Sequence, residues 1–310
     1  MAENGKKAVI LLAFGGADSL ENVEPFIRNV LSPRTPSPEL IETTKERYQL
    51  IGGASPLLAI TMDQARALAG RLNRERKEPI TVYVGMRNWH PYIKDTLREM
   101  KDDGVKKAIA VIMAPHATEA STGGYLQDVE EALKETGGLP EVEFVGPWHT
   151  NPTFLEAVVG NMQTAFTSFY RLREKEKIRV IFTAHSLPKR ILEGDPYVSL
   201  INETVEVIND MFTGLDSTIA FQSKGGGPGE WLGPSVEEAI EEAKKDGKVG
   251  VVIVPVGFVA DHVETLYDID ILFYEKARSL GLTFSRAPSL NALDSFIKAL
   301  SEVVTPYLDS

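Results

Sequence analysis

RVIFTAHSLP (Arg179–Pro188) decides the fold. Val180, Ile181, Phe182 and Ala184 form an apolar run with no polar alternation, which marks a strand buried on both faces, as in a parallel sheet covered by helices. The run ends abruptly in His185, and Pro188 three positions on cannot donate to a sheet ladder. The imidazole is therefore expected at the carboxyl end of a central strand, where open α/β sheets bind their ligands.

Seven further runs of the same kind lie outward from it: Ala8–Phe14, Thr81–Met86, Lys107–Met113 and Val142–Val145 before it, with Ser217–Phe221, Val249–Val254 and Thr283–Arg286 after, the central one being Arg179–Ala184. Segments of helical period separate them, at Ser55–Asn73, His90–Asp103, Gly123–Lys134, Thr153–Lys175, Tyr197–Phe212, Ser235–Lys245 and Glu264–Leu280, with Ala292–Tyr307 last. Strict alternation of strand and helix predicts doubly wound α/β architecture with right-handed crossovers. Four strands fall in each half. The expectation is two Rossmann-like lobes, each a four-stranded parallel sheet flanked by helices, with a cleft between them. The charged run RLREKEK after Tyr170 suggests a boundary that gives lobes 1–172 and 173–310, the last helix packing back on the first lobe. SPRTPSP (Ser32–Pro38) is too stiff for core and reads as an exposed lip.

Composition narrows the chemistry. The 310 residues carry 33 Lys+Arg against 44 Asp+Glu, a formal net charge of -11, so the surface repels phosphate backbones and nucleic acid is not an expected partner. With no Cys, disulfides, thiolate metal ligands, Cys nucleophiles and Cys-held iron–sulfur clusters are excluded. Any metal must pass over the five His and the carboxylates. No G-x-x-x-x-G-K-[ST] or G-x-S-x-G occurs, and Gly225–Gly229 does not extend into G-x-G-x-x-G, which removes the common nucleotide and serine-hydrolase signatures. The start, MAENGKKAVILLAFGG, reads as a strand rather than a secretion signal, and no apolar run approaches a membrane span. A cytoplasmic, soluble enzyme is expected, and an apolar lip touching a bilayer is compatible with it.

Three of the five His fall just beyond predicted strands: His116, His185 and His262. Asp261, Glu264 and Asp268 are spaced i, i+3, i+7, which would align three carboxylates on one helical face. Like charges stacked so closely need a cation or a proton to compensate them. Imidazole with carboxylates and no thiolate suits a borderline divalent cation such as Fe²⁺, Co²⁺ or Zn²⁺, and the same groups can accept protons near neutrality.

Eight segments together resemble the ferrochelatase family along nearly the whole chain: LLAFGG (Leu11–Gly16), RYQLIGGASPL (Arg47–Leu57), MRNWHP (Met86–Pro91), APHATEASTGGY (Ala114–Tyr125), FTAHSLP (Phe182–Pro188), GDPY (Gly194–Tyr197), FQSKGGGPGEWLGP (Phe221–Pro234) and PVGFVADHVETLYDID (Pro255–Asp270). The resemblance implies a chelatase-like lyase that inserts Fe²⁺ into protoporphyrin IX with release of two protons. His185 and Glu264 would be the metal-binding and proton-accepting pair, and Asp268 would extend a carboxylate path for incoming metal. Phe14, Tyr125 and Trp231 are expected beside the macrocycle, with Trp89 and Phe258 as further wall residues, and Arg34, Ser55 and Arg87 are expected at its propionates. Fe²⁺ would be substrate, with no prosthetic group and no iron–sulfur cluster, and a monomer is the working expectation.

The chain departs from the family pattern in two places. Position 14 is Phe where some relatives have Tyr or Met, so no axial tyrosine is available. Leu272 stands where many relatives continue the acidic ridge. Coproporphyrin III ferrochelatase and cobalt or sirohydrochlorin chelatase are alternatives within the same chemistry, and a non-catalytic haem or porphyrin carrier is one outside it.

Overall fold

A computed structural model describes residues 5–74, 76–169, 177–212, 214–227 and 229–310. The chain divides into two compact units, one made of 1–117, 122–148 and 291–310, the other of 118–121 and 149–290.

The first unit holds β1 (Lys6–Ala13), α1 (Val23–Leu31), α2 (Pro38–Leu50), α3 (Leu57–Leu72), β2 (Thr81–Met86), α4 (Ile93–Asp102), β3 (Val105–Ile112), α5 (Glu119–Thr136) and β4 (Glu141–Phe144). Its parallel sheet has the order β2-β1-β3-β4. Ala8, Ile10 and Leu12 of β1 pack with Leu97 and Met100 of α4 and Val129 of α5. The alternate residues Val9 and Leu11 are equally buried, so the strand has no polar face and its sequence no alternation.

The second unit contains α6 (Pro152–Phe166), β5 (Ile178–His185), α7 (Tyr197–Met211), β6 (Ser217–Gln222), α8 (Val236–Lys245), β7 (Gly250–Val254), a π-helical stretch (Glu264–Phe273), α9 (Tyr274–Ser279) and β8 (Thr283–Arg286). Its sheet repeats the same permutation, β6-β5-β7-β8, all parallel. Ile181, Val251 and Ile253 lie in one core cluster with Ile240 of α8 and with Ile269 and Phe273 of the π-helical stretch. Ser235 and Glu238 form a reciprocal capping box at the start of α8, worth about 1 kcal/mol. The two expected four-stranded parallel sheets are thus present, with strand limits that agree within two residues.

The units divide at Trp148–His149 rather than at 172/173. α6 explains the shift: Phe154, Leu155, Val158 and Met162 are buried, and the helix packs on β7 and β8, so it belongs with the strands that follow it. The charged run 171–176, where a boundary was sought, lies outside the described residues. The final helix, α10 (Asp294–Asp309), packs on α3 and β3 in the first unit. Two helices lack counterparts in the periodicity reading, α1 and α2, which flank the Pro-rich segment. Pro38 takes the first helical position of α2 and the Ser37 side chain accepts from Leu40 N, so the proline starts a helix there.

Candidate active site

Each sheet has a topological switch point where its order reverses, between β1 and β3 in the first unit and between β5 and β7 in the second. In the second unit, His185 closes β5, its register partner is Gln222 of β6, and the segment after β7 leads to His262 and Glu264. The chemistry-bearing residues of this unit therefore converge where α/β folds bind ligands.

His185 Nδ1 lies 3.2 Å from Glu264 Oε2. The carboxylate can only accept in its ionised form, so Nδ1 carries the proton and Nε2 is the ring atom left for a ligand. The His185 carbonyl accepts from the Tyr197 hydroxyl at 3.0 Å, which anchors the strand end. His262, marked in the sequence only as one of three histidines beyond predicted strands, approaches the same carboxylate oxygen, its Nε2 3.7 Å from Glu264 Oε2 and its Nδ1 3.0 Å from the Ala260 carbonyl. The Phe258 ring packs against the His262 imidazole with centroids 4.8 Å apart.

Burial pushes the His185 imidazolium down, but the Glu264 charge and hydrogen bond, with the Asp268 charge behind them, outweigh it and raise His185 above its ordinary value. Burial likewise pushes Glu264 up, but His185 and His262 hold its carboxyl well below the usual range. Each group thus favours the charged form of the other. The imidazolium side of the pair's contribution to stability is complete below the ordinary His value of 6.5 and is lost as pH rises through the raised one. The carboxylate side is present above the ordinary Glu value of 4.5 and is lost as pH falls through the depressed one. NMR titration of the His185 ring should give a midpoint above 6.5, and Glu264→Gln should move it to lower pH. An unchanged midpoint in the variant would mean that the carboxylate is not its partner.

Asp268 is only 7% exposed and accepts from Ser223 Oγ at 2.5 Å. Ser223 itself has a left-handed backbone, φ +60°, uncommon for a residue with a side chain. Gln222 Nε2 donates to the Glu264 carbonyl at 3.1 Å, tying β6 to the first turn of the π-helical stretch. Among the described residues no three His, Cys, Asp or Glu side chains close into a metal cage.

The carboxylate stripe is corrected. Asp261 precedes the helical segment, and its Oδ1 accepts from Arg286 at 3.0 Å, Ser289 at 2.7 Å and Thr265 at 3.2 Å, so it is engaged in a polar cluster of its own. Glu264 and Asp268 remain one turn apart on the site side. Leu272, 37% exposed, offers no third carboxylate.

The residues expected at the macrocycle are placed as follows. In the first unit Phe14 follows β1, is 43% exposed and meets Phe26 edge-on. Trp89 is buried and also meets Phe26 edge-on. Arg34 is exposed on the Pro-rich segment. Ser55 is buried, its Oγ accepting from Leu57 N, and Gly16 passes so close that a Cβ there would stand 2.6 Å from that oxygen. Arg87 pairs with Asp128 at 3.0 Å and lies over the Tyr125 ring. Tyr125 is core, 7% exposed, with burial driving its hydroxyl pKa upward. In the second unit the Trp231 indole donates to the Gly227 carbonyl at 3.2 Å and rests against Gly225.

No helix among the described residues is long and apolar enough to cross a membrane. The ferrochelatase family model matches residues 6–308. The chain is 36% identical over 303 residues to a ferrochelatase of Herpetosiphon aurantiacus, with 97% of this chain and 99% of the relative covered. It is 35% identical over 302 residues to a coproporphyrin III ferrochelatase of a Geobacillus species, covering 96% and 97%. Among solved structures, SirB from Bacillus subtilis with Fe3+ shares the fold at a TM-score of 0.58 and 10% identity, covering 98% of both chains. A multi-domain protein of Deinococcus radiodurans with structural similarity to chelatases follows at 0.54 and 10% identity, with 97% of this chain and 55% of that one covered. With a family match from one end of the sequence to the other, and close relatives of equal length, the chain belongs to the ferrochelatase family.

Proposed function

We propose that the protein inserts Fe²⁺ into protoporphyrin IX, releasing two protons and giving protohaem, and that His185 and Glu264 carry the reaction. The observation that supports this most is one carboxylate approached by two imidazoles at a sheet switch point. Metallation requires groups that first offer a lone pair to a hydrated divalent ion and then accept the two inner N–H protons.

His185 suits the first task through Nε2, since Glu264 fixes its tautomer and ring orientation through Nδ1. The carboxylate suits the second. The Glu264 carboxylate takes one inner proton and the neutral His185 ring, once the metal has passed to the macrocycle, takes the other, and both are then released to solvent. Asp268, held by Ser223, would pass the hydrated metal inward. A planar macrocycle hides its lone pairs, and binding energy spent on distorting it exposes them. Exposed Phe14 and the Trp231 indole are proposed as its apolar contacts. Tyr125 would contribute only as the surface on which Arg87 is held. Arg34, Ser55 and Arg87 are proposed for the propionates, with Asp128 giving up its bond to Arg87 in part. Iron is substrate here, and the enzyme works without a prosthetic group, as a monomer in the cytoplasm.

Coproporphyrin III is the second reading, supported by a relative of that name at 35% identity, against 36% for one called ferrochelatase. Phe14 is the residue that weighs against it. An anaerobic assay offering Fe²⁺ with protoporphyrin IX and with coproporphyrin III in parallel tests the choice. Faster turnover of protoporphyrin IX is expected, and faster turnover of coproporphyrin III would assign the second reading.

A further inference from the structure

The polar cluster that absorbs Asp261 has a geometry of its own. Arg286, the last residue of β8, is 13% exposed and makes four side-chain bonds. Its Nε and Nη2 form a fork onto Asp270 at 2.7 and 2.9 Å. Its Nη1 bonds Asp261 at 3.0 Å and Ser289 Oγ at 3.1 Å. Ser289 in turn donates to Asp261 at 2.7 Å, and Thr265 adds a bond at 3.2 Å. One half-buried guanidinium therefore holds the residue three positions before the π-helical stretch and a residue inside it.

Winding makes this consequential. The stretch Glu264–Phe273 is π-helical, and at its end Tyr274 N–H reaches the Ile269 carbonyl five residues back, shared with that of Ile271. An i→i+5 ladder turns the chain less per residue than an i→i+4 ladder, so six residues after Glu264 the two windings have diverged by roughly a quarter to a third of a turn. With Glu264 facing His185, an α-wound segment would carry Asp270 off the fork of Arg286. The Glu264–His185 and Asp270–Arg286 contacts are made at once only in the winding observed.

We propose that Arg286 is a positioning residue: by gripping Asp261 and Asp270 together it selects the π winding that aims Glu264 at His185 and Asp268 at Ser223. Isolated π turns are rare and cluster at functional sites, so a dedicated restraint on this one is physically reasonable. The fork is also the part of the interaction that lysine cannot reproduce. The inference rests on His185 and Glu264 being the reacting pair, but the winding can be tested without activity.

The comparison is Arg286→Met and Arg286→Lys against Arg179→Met. Arg179 is an equally half-buried arginine in the same unit, at the opposite end of the sheet, paired with Asp216 and Asp246 at 2.8 and 2.9 Å. Amide hydrogen exchange across 264–273 should accelerate in Arg286→Met, with part of the protection recovered by Lys, and should not change in Arg179→Met at a matched loss of thermal stability. Iron insertion by Arg286→Met should lose about tenfold or more in kcat, with KM for porphyrin within about twofold. Asp270→Asn, which leaves Arg286 its Asp261 and Ser289 bonds, should reproduce both effects and serves if Arg286→Met does not fold; where both fold, the double variant should lose no more than the worse single one.

Equal exchange in the Arg286 and Arg179 variants would overturn the inference, as would accelerated exchange with unchanged kcat. If the unmodified protein metallates no porphyrin, the functional proposal falls, and exchange across 264–273 alone still decides whether Arg286 holds the winding.

Discussion

His185→Ala is expected to lower the rate of iron insertion by about a hundredfold or more while porphyrin still binds. The substitution removes the only ring nitrogen that Glu264 orients through Nδ1, and with it the lone pair at Nε2 that the mechanism offers to the metal. It leaves the strand intact, because the Tyr197 hydroxyl bonds to the backbone carbonyl of residue 185 rather than to its ring. Porphyrin binding followed by its Soret band should therefore survive, and insertion under anaerobic conditions should not. Retention of most of the activity would remove His185 from the chemistry.

Glu264→Gln is expected to be comparably damaging for a different reason. The side chain keeps its size, but the site loses its anion. His185 then loses the charge that raises its pKa, and burial, no longer offset by Glu264, pulls its titration to lower pH. Insertion requires the neutral ring, so the residual activity of this variant should rise at lower pH than that of the unmodified protein, while its maximum falls by about a hundredfold or more because the proton store is gone. A full maximum with a shifted profile would show that Glu264 only tunes His185 and accepts no proton.

Much of this architecture is legible in the sequence for one reason. Strands buried on both faces leave unbroken apolar runs, as β1, β5 and β7 do, whereas the edge strands β4 and β8, four residues each and only partly buried, are marked more weakly. His185 is legible because a polar residue closing such a run must sit at a sheet edge. Asp261 lies off the stripe its spacing suggests: an i, i+3, i+7 pattern aligns carboxylates only if the helix already exists at its first member, and the helix starts after it. The π winding leaves no mark that periodicity can detect, since four residues bring Glu264 and Asp268 to one side in either winding.

Ser223 carries a weak signal at best, a serine in a glycine-rich stretch whose importance lies in its backbone angle and in the distance to Asp268. His262 carries a stronger one, two positions before Glu264 in DHVETLYD. The helices α1 and α2 flank a Pro-rich segment that interrupts the apolar period, although Ser37-Pro38 is a good helix start.

Proton release measured together with metallation tests the central claim most directly. Mixed anaerobically with Fe²⁺ and protoporphyrin IX in weak buffer with a pH indicator, the unmodified protein should form protohaem and release two protons per iron inserted, and Glu264→Gln should bind the porphyrin with neither signal at a comparable rate. Porphyrin binding without metallation by the unmodified protein, or undiminished metallation and proton release by Glu264→Gln, would contradict the account.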